Sequence, residues 1–223
     1  MNYSTTQSYK DRLSTIVETA YRVICQKIAG ESISIYNEAS LQLHLSIVLR
    51  TLAQLYEFSP SERVIIDLEK AIEPVYTSKT KGVSRCDIVI SFLNNNHLVS
   101  QAYIELKYFK KSESTSEATK DHRFGLFMDI ENLECYRNLS KDVQTLCYLI
   151  AMAQNETYAN PDSRSSLKTG NGCMTKDSMT KHETEDKYTI SYSGRDSISL
   201  KDNYLFDWTS YATDKHCLIV RMQ

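Results

Sequence analysis

The sequence predicts an α/β fold of the α+β kind: a central mixed sheet of four or more strands flanked by helices. Three observations point there. Two amphipathic helical stripes open the chain, three short apolar runs follow between residues 63 and 109, and only 6 Gly and 3 Pro punctuate all 223 residues. So few turn formers argue against a turn-dense sandwich. At 41% hydrophobic and 24% charged, the composition excludes bulk disorder. The length suits a single domain, 1–223.

Residues 1–30 are expected to carry an N-terminal helix. Leu13, Ile16, Val17, Ala20, Val23, Ile24 and Ile28 recur at helical spacing, and Gly30 closes the run. A core is expected over 36–155. Its first element is a helix at about 36–57, striped by Leu41, Leu45, Val48, Leu52 and Leu55 and ended before Pro60. Residues 63–72, 86–92 and 98–109 read as strands, separated by a polar basic turn over 77–85 and by Asn94-Asn95-Asn96. Connections this short leave no room for crossover helices, so the three strands form a meander. Residues 110–120 read as a charged loop. Residues 130–154 read as helix, with Ser140 capping a stripe of Val143, Leu146, Cys147, Ile150 and Ala153. Residues 155–187 hold 6 apolar residues against 9 Ser or Thr, which suggests an exposed polar loop excursion without a core of its own. Residues 188–223 are assigned to C-terminal strands: a hairpin around Ser193-Gly194-Arg195-Asp196 and a last strand over 217–222.

The residues that carry chemistry are Asp87 and Glu105-Leu106-Lys107. Side chains alternate along a strand, so Glu105 and Lys107 project from one face, about 7 Å apart. A meander brings Asp87 beside them. Two carboxylates and an ammonium on one sheet face suit metal-assisted phosphodiester hydrolysis. The carboxylates hold a hard cation such as Mg²⁺, the cation polarises a phosphoryl oxygen and acidifies a water, and the lysine orients that water or offsets charge on the phosphate. Glu38 opens the buried stripe of the second helix, a costly place for an unpaired acid. It reads as a further metal ligand or as a water-exposed helix end. Glu69 is an alternative third ligand or an exposed strand acid. Asp129, Glu131 and Glu134 read as the solvated face of a helix start, and Asp142 as a first-turn acid. Gln144 could reach the site from that helix.

Lys81-Gly82-x-x-Arg85-x-Asp87-Ile88-Val89-Ile90, followed by Glu105-x-Lys107 and preceded by a helix bearing Glu38, resembles the PD-(D/E)XK nuclease superfamily over roughly 36–155. Lys141 to Leu146 resembles the helix after that family's third strand, and Cys86 stands where proline is usual. The resemblance implies a restriction-endonuclease-like core and a Mg²⁺-dependent nuclease in which Mn²⁺ can substitute. Asp87, Glu105 and Glu38 would be the metal ligands, and these three with Lys107 the catalytic residues.

Lys79, Lys81, Arg85, Lys110 and Lys111 flank the strand ends and are expected to contact nucleic acid, DNA in preference to RNA, with His122 and Arg123 following soon after. A net charge of −2 argues against a nonspecific nucleic-acid coat and leaves room for such a local patch. The 6 Cys form no CxxC pair, so they read as buried thiols of an intracellular, cytoplasmic protein in a reducing compartment. No apolar run reaches membrane-spanning length, and the N-terminus lacks the apolar stretch of a signal peptide. A homodimer would supply the two sites a double-strand cut needs. Two other readings stand beside this one. The first is a catalytically inactive nuclease-fold protein that binds nucleic acid or protein within a larger complex. The second is a small α/β interaction protein unrelated to nucleic acid. No P-loop and no G-x-S-x-G is present.

Overall fold

A computed structural model of the protein describes residues 7–77, 80–110, 116–139, 142–162, 165–178, 188–191, 195, 197–212 and 214–222. They build an α+β fold around a six-stranded mixed sheet. In chain order the elements are α1 (Tyr9–Ala29), α2 (Glu38–Leu55), β1 (Glu62–Tyr76), β2 (Lys81–Asn94), β3 (His97–Phe109), α3 (Ser116–Arg137), β4 (Gln144–Ala153), β5 (Tyr188–Ile190), β6 (Ile198–Leu200), β7 (Trp208–Ala212) and β8 (Lys215–Met222). The sheet runs β1-β2-β3-β4-β8-β7, and β5 and β6 pair apart from it. The first three strands are the expected antiparallel meander, while β3 and β4 are parallel, with α3 as the crossover between them.

Each helix end has a local cause. The Ser8 side chain caps α1 by accepting the Asp11 N–H, and Asn37 and Ser40 form a reciprocal capping box on α2. α1 and α2 cover one sheet face, burying Leu13, Ile16, Leu41 and Leu45 against Ile88, Ile90, Ile104 and Tyr148. α3 covers the other, with Phe127, Ile130 and Leu133 set against Val89, Tyr103 and Leu149. Among the described residues no helix is long and apolar enough to cross a membrane.

Four expectations are corrected. The loop assigned to 110–120 gives way to α3 from Ser116 onward. The helix expected over 130–154 ends at Arg137, and its second half is β4. From Leu146 to Ala153 the strand is buried on both faces, and a strand buried on both faces reads as a continuous apolar run that period alone cannot tell from a helix. Asp142 and Gln144 are therefore no part of a helix, and Gln144 is exposed at the start of β4. The basic turn over 77–85 is mostly strand, since β2 begins at Lys81. The segment after 155 is not a bare excursion. Tyr158, Leu167 and Thr169 are buried, Tyr158 stacks on Phe109 at 4.0 Å between ring centroids, and Trp208 Nε1 donates to the Thr169 carbonyl. Residues 179–187 and the Ser140 cap lie outside the described residues. β7, which no strong apolar alternation announces, was not expected.

The feature that positions the site is a branch in the sheet. β2 pairs with β3 only as far as Ile88↔Ile104, while β1 and β2 stay paired out to Tyr76↔Lys81. A two-stranded ribbon therefore leaves the sheet, and β3 continues past Glu105 with β4 alone beside it. The branch also reverses faces. Ile88, Ile90 and Phe92 pack beneath α1 and α2, but Cys86 packs beneath α3. Asp87 sits at the reversal. On β1, Glu69 lies between the pairs Leu68↔Ile88 and Lys70↔Cys86, at a left-handed φ of 51° that a non-glycine residue adopts only under outside constraint.

Arg12 ties the helical layer to the start of β1. Its guanidinium makes a two-pronged bond to Glu62 (2.8 and 2.9 Å), donates to the Tyr56 carbonyl, and lies over the rings of Tyr9, Phe58 and Phe92. Its side chain is 3% exposed. Removing one partner strands the other's charge, so Arg12→Ala is expected to lower unfolding stability by about 3–5 kcal/mol, read from urea midpoints at unchanged m-value.

Candidate active site

Asp87 lies one step beyond the last β2–β3 pair, which places it across from Glu105. There the backbone of β2 no longer serves β3, and the Asp87 carboxylate takes over: Oδ2 accepts the Leu106 N–H at 2.6 Å. Asp87 and Glu105 lie near enough that each bears on the other's protonation. Neighbouring carboxylates raise each other's proton affinity, and a proton or a cation relieves that repulsion. Glu105 is 4% exposed, and the Tyr136 hydroxyl, on α3, lies 3.1 Å from its Oε1 and 2.8 Å from Ser84 Oγ. Burial, then the charges of Asp129 and Asp87, push the Glu105 carboxyl well above the ordinary carboxylate range. Burial also raises Asp87, against the pull of the Leu106 N–H and Lys107.

Lys107 projects from the same face two residues on, and it is gripped from both layers. Its Nζ is 2.6 Å from Asp129 Oδ2 on α3 and 3.7 Å from Glu38 Oε2 at the start of α2, and it donates to the Leu106 carbonyl at 3.1 Å. Only the branch allows this: with β2 gone from that edge, a side chain of β3 reaches helices packed on opposite sheet faces. Burial by itself would lower the lysine, but Asp129, Glu38 and Asp87 outweigh it and hold the group as ammonium. Asp129 is raised by burial to about 6 despite that pairing. Burial raises Glu38 too, with Lys107 and the Tyr108 N–H drawing it back.

The sequence-predicted residues Asp87, Glu105, Lys107 and Glu38 are thus brought together. Lys81 and Arg85 lie exposed on the ribbon, and Lys110 is half-buried at the end of β3. Lys79 and Lys111 fall outside the described residues. Arg123 is not available to phosphate: it is fully buried and donates to the carbonyls of Leu167 and Thr157. His122 contacts the Tyr158 hydroxyl. The reading of Asp129, Glu131 and Glu134 as a solvated face is overturned, because all three are buried. Asp129 holds Lys107, while Glu131 and Glu134 accept backbone N–H groups of Ser199, Lys201 and Asp202.

Sequence reasoning missed four contributors: Asp129, Tyr136, Gln42 and Glu69 as a held residue. Gln42 Nε2 donates to Glu69 Oε1 and to the Asp87 carbonyl, pinning both strands at the branch. Its signal was available, since it stands one helical turn after Glu38. Asp129 and Tyr136, seven residues apart on one helix face, become legible only once α3 is known to be continuous.

The donor set is entirely carboxylate oxygen, which fits a hard cation. Among the described residues no group of three or more His, Cys, Asp or Glu is spaced to hold a metal together, and Glu38 faces Lys107 instead. Asp87 and Glu105 would then hold Mg²⁺ as a pair, which accords with that ion's habit of taking one or two carboxylates and keeping several waters. Set beside known proteins, the chain matches no family model, no curated protein and no solved structure.

The raised carboxyls make a pH prediction. In EDTA, the folded site holds protons that unfolded carboxyls have released, so the stability it contributes is full below about pH 4. That stability is lost as pH rises, through about 6 for Asp129, and Glu105, raised well above its ordinary value, loses its share in the same direction. Glu62 works the opposite way: Arg12 holds it low, so its contribution is lost only on acidification. Thermal melts between about pH 5 and about pH 8 should show Glu105→Gln losing less stability over that window than the parent.

Proposed function

We propose that the protein is a Mg²⁺-dependent nuclease built on a restriction-endonuclease-like core, hydrolysing phosphodiester bonds of DNA in preference to RNA. One observation carries the reading: Asp87 and Glu105 opposed at the branch where β2 leaves β3, with Lys107 two residues on along the same strand face. Asp87 and Glu105 bind the cation, which when present polarises the phosphoryl oxygen and acidifies a water. Tyr136 and the Leu106 N–H fix the two carboxylates in place. Lys107, held as ammonium, offsets charge that builds on the phosphate and orients the attacking water. Asp129 and Glu38 hold that ammonium near the carboxylates while leaving it about one-fifth exposed. The side chains buried around Glu105 exclude water and strengthen each of these interactions.

A second reading, a nuclease-fold protein that binds without cutting, draws on one feature. The ammonium is already occupied by two acids, and Glu38 is drawn to Lys107 rather than to the other two carboxyls.

Supercoiled, linear and single-stranded DNA, and RNA, incubated with Mg²⁺ or Mn²⁺, separate these readings. Asp87→Ala and Glu105→Ala are each expected to abolish metal-dependent cleavage. Lys107→Ala should lower it by about 10²-fold, the scale for losing a positioned acid–base or charge-stabilising group. Cleavage by Glu105→Ala at the parent rate would place the activity elsewhere.

A further inference from the structure

Beyond the branch, the ribbon and α3 face each other across a groove of about 440 Å³. Thr77, Lys81 and Val83 wall it on the ribbon side, and Met128, Glu131 and Asn132 on the helix side. Both walls are fixed. Ile72, Val75 and Cys86 are buried with α3 in one core, Cys135 Sγ donates to the Tyr76 carbonyl, and Tyr136 meets Ser84. The acid in the wall is engaged, since Glu131 Oε1 accepts the Ser199 N–H at 3.1 Å.

Both walls of the groove continue along the chain toward the carboxylates. Met128 is next in sequence to Asp129, which holds Lys107, and Val83 stands four residues before Asp87 on the same strand, about 13 Å away. Lys81 lines the groove, and Arg85, which by strand alternation shares its side of β2, is a second exposed cation nearer Asp87 along the strand. Across the ladder from Lys81, which lines the groove, Tyr76 is 71% exposed. This is the chemistry of a nucleic-acid strand: cations for phosphate, an apolar and amide-lined slot for a base, and an aromatic platform for stacking. The volume sits low in the range of about 300–1,000 Å³ for small-molecule sites. It has room for one base with its sugar, and a base stacked and paired within a duplex cannot enter it.

Resting on the hydrolytic reading above, we propose that this groove is a subsite for one unpaired nucleotide next to the scissile phosphate, with Tyr76 stacking the base beyond it. The substrate is single-stranded nucleic acid rather than intact duplex.

The test is fluorescence anisotropy of the full chain in Ca²⁺, using labelled single-stranded DNA, single-stranded RNA of the same sequence, and the blunt DNA duplex. The expected result is that one of the single strands binds at least about tenfold more tightly than duplex, and the tighter of the two identifies the sugar. Tyr76→Ala and Met128→Trp, which fills the slot, should each weaken that binding about tenfold at unchanged melting temperature. Lys81→Ala should flatten the salt dependence by about one unit of slope. Asn132→Ala, too small a change to unfold α3, should weaken binding in the same direction. Duplex binding as tight as single strand, or affinity unmoved by Tyr76→Ala and Asn132→Ala, overturns the proposal. A parent protein that binds single strands through the groove yet cuts nothing in Mg²⁺ overturns the hydrolytic reading and leaves the subsite standing. Cleavage that survives every groove variant unchanged does the reverse.

Discussion

The organisation of the site depends on one hydrogen bond, from the Leu106 N–H to the Asp87 carboxylate. A sheet that loses a neighbour leaves unpaired backbone donors, and a buried orphan costs about 1–3 kcal/mol. Here β2 turns away after Ile88, and its own side chain replaces the backbone acceptor that has gone. The substitution fixes Asp87 beside Glu105. It also requires β2 to reverse its faces within two residues, which Glu69 on the partner strand matches with a left-handed backbone. Gln42 reaches down from α2 to hold both strands in that arrangement. Strain of this kind persists only where the surroundings over-determine it. Three elements converge on the branch to do so.

Charge balance follows from the same geometry. Glu38, Asp87, Glu105 and Asp129 gather around the ammonium of Lys107, and Glu69 adds its charge beside Asp87. An excess of buried negative charge is unfavourable on its own, and the upward displacement of Glu105, Asp87, Glu38 and Asp129 expresses that. A site tuned only for stability would have one acid per lysine, or apolar residues in their place. On the hydrolytic reading proposed above, that surplus is the charge a divalent cation neutralises.

Much of this was legible in the sequence. The three-strand meander, both N-terminal helices and the convergence of Asp87, Glu105 and Lys107 follow from alternation and from connections too short for helices. What was hidden shares one cause. β4 is buried on both faces, so Val143, Leu146, Cys147 and Ile150 fit a helical stripe as well as a strand. Reading β4 as helix drew attention away from α3, the true crossover, and with it from Asp129 and Tyr136. The acids of α3 then looked like a solvated face because nothing local reveals their partners. Those partners, Ser199, Lys201 and Asp202, lie some 65 to 70 residues further along the chain.

Those distant partners explain why α3 can carry a functional acid at all. Glu131 and Glu134 accept the backbone donors at and just after β6, and Tyr204 adds its hydroxyl to Glu134. Two turns before Glu131 on the helix, Arg123 reaches the opposite way, into the carbonyls of Thr157 and Leu167. The helix is thereby fastened to the stretch the sequence suggested was an exposed excursion and to the C-terminal hairpin region, one on each side of Asp129. A crossover helix with few such ties could shift along the sheet by a side-chain width. Fastened at both ends, α3 keeps Asp129 2.6 Å from Lys107 and Tyr136 on Glu105 at once. The polar stretch after β4 and the β5–β6 hairpin thus act on the site through the position of one helix, without contributing a side chain to it.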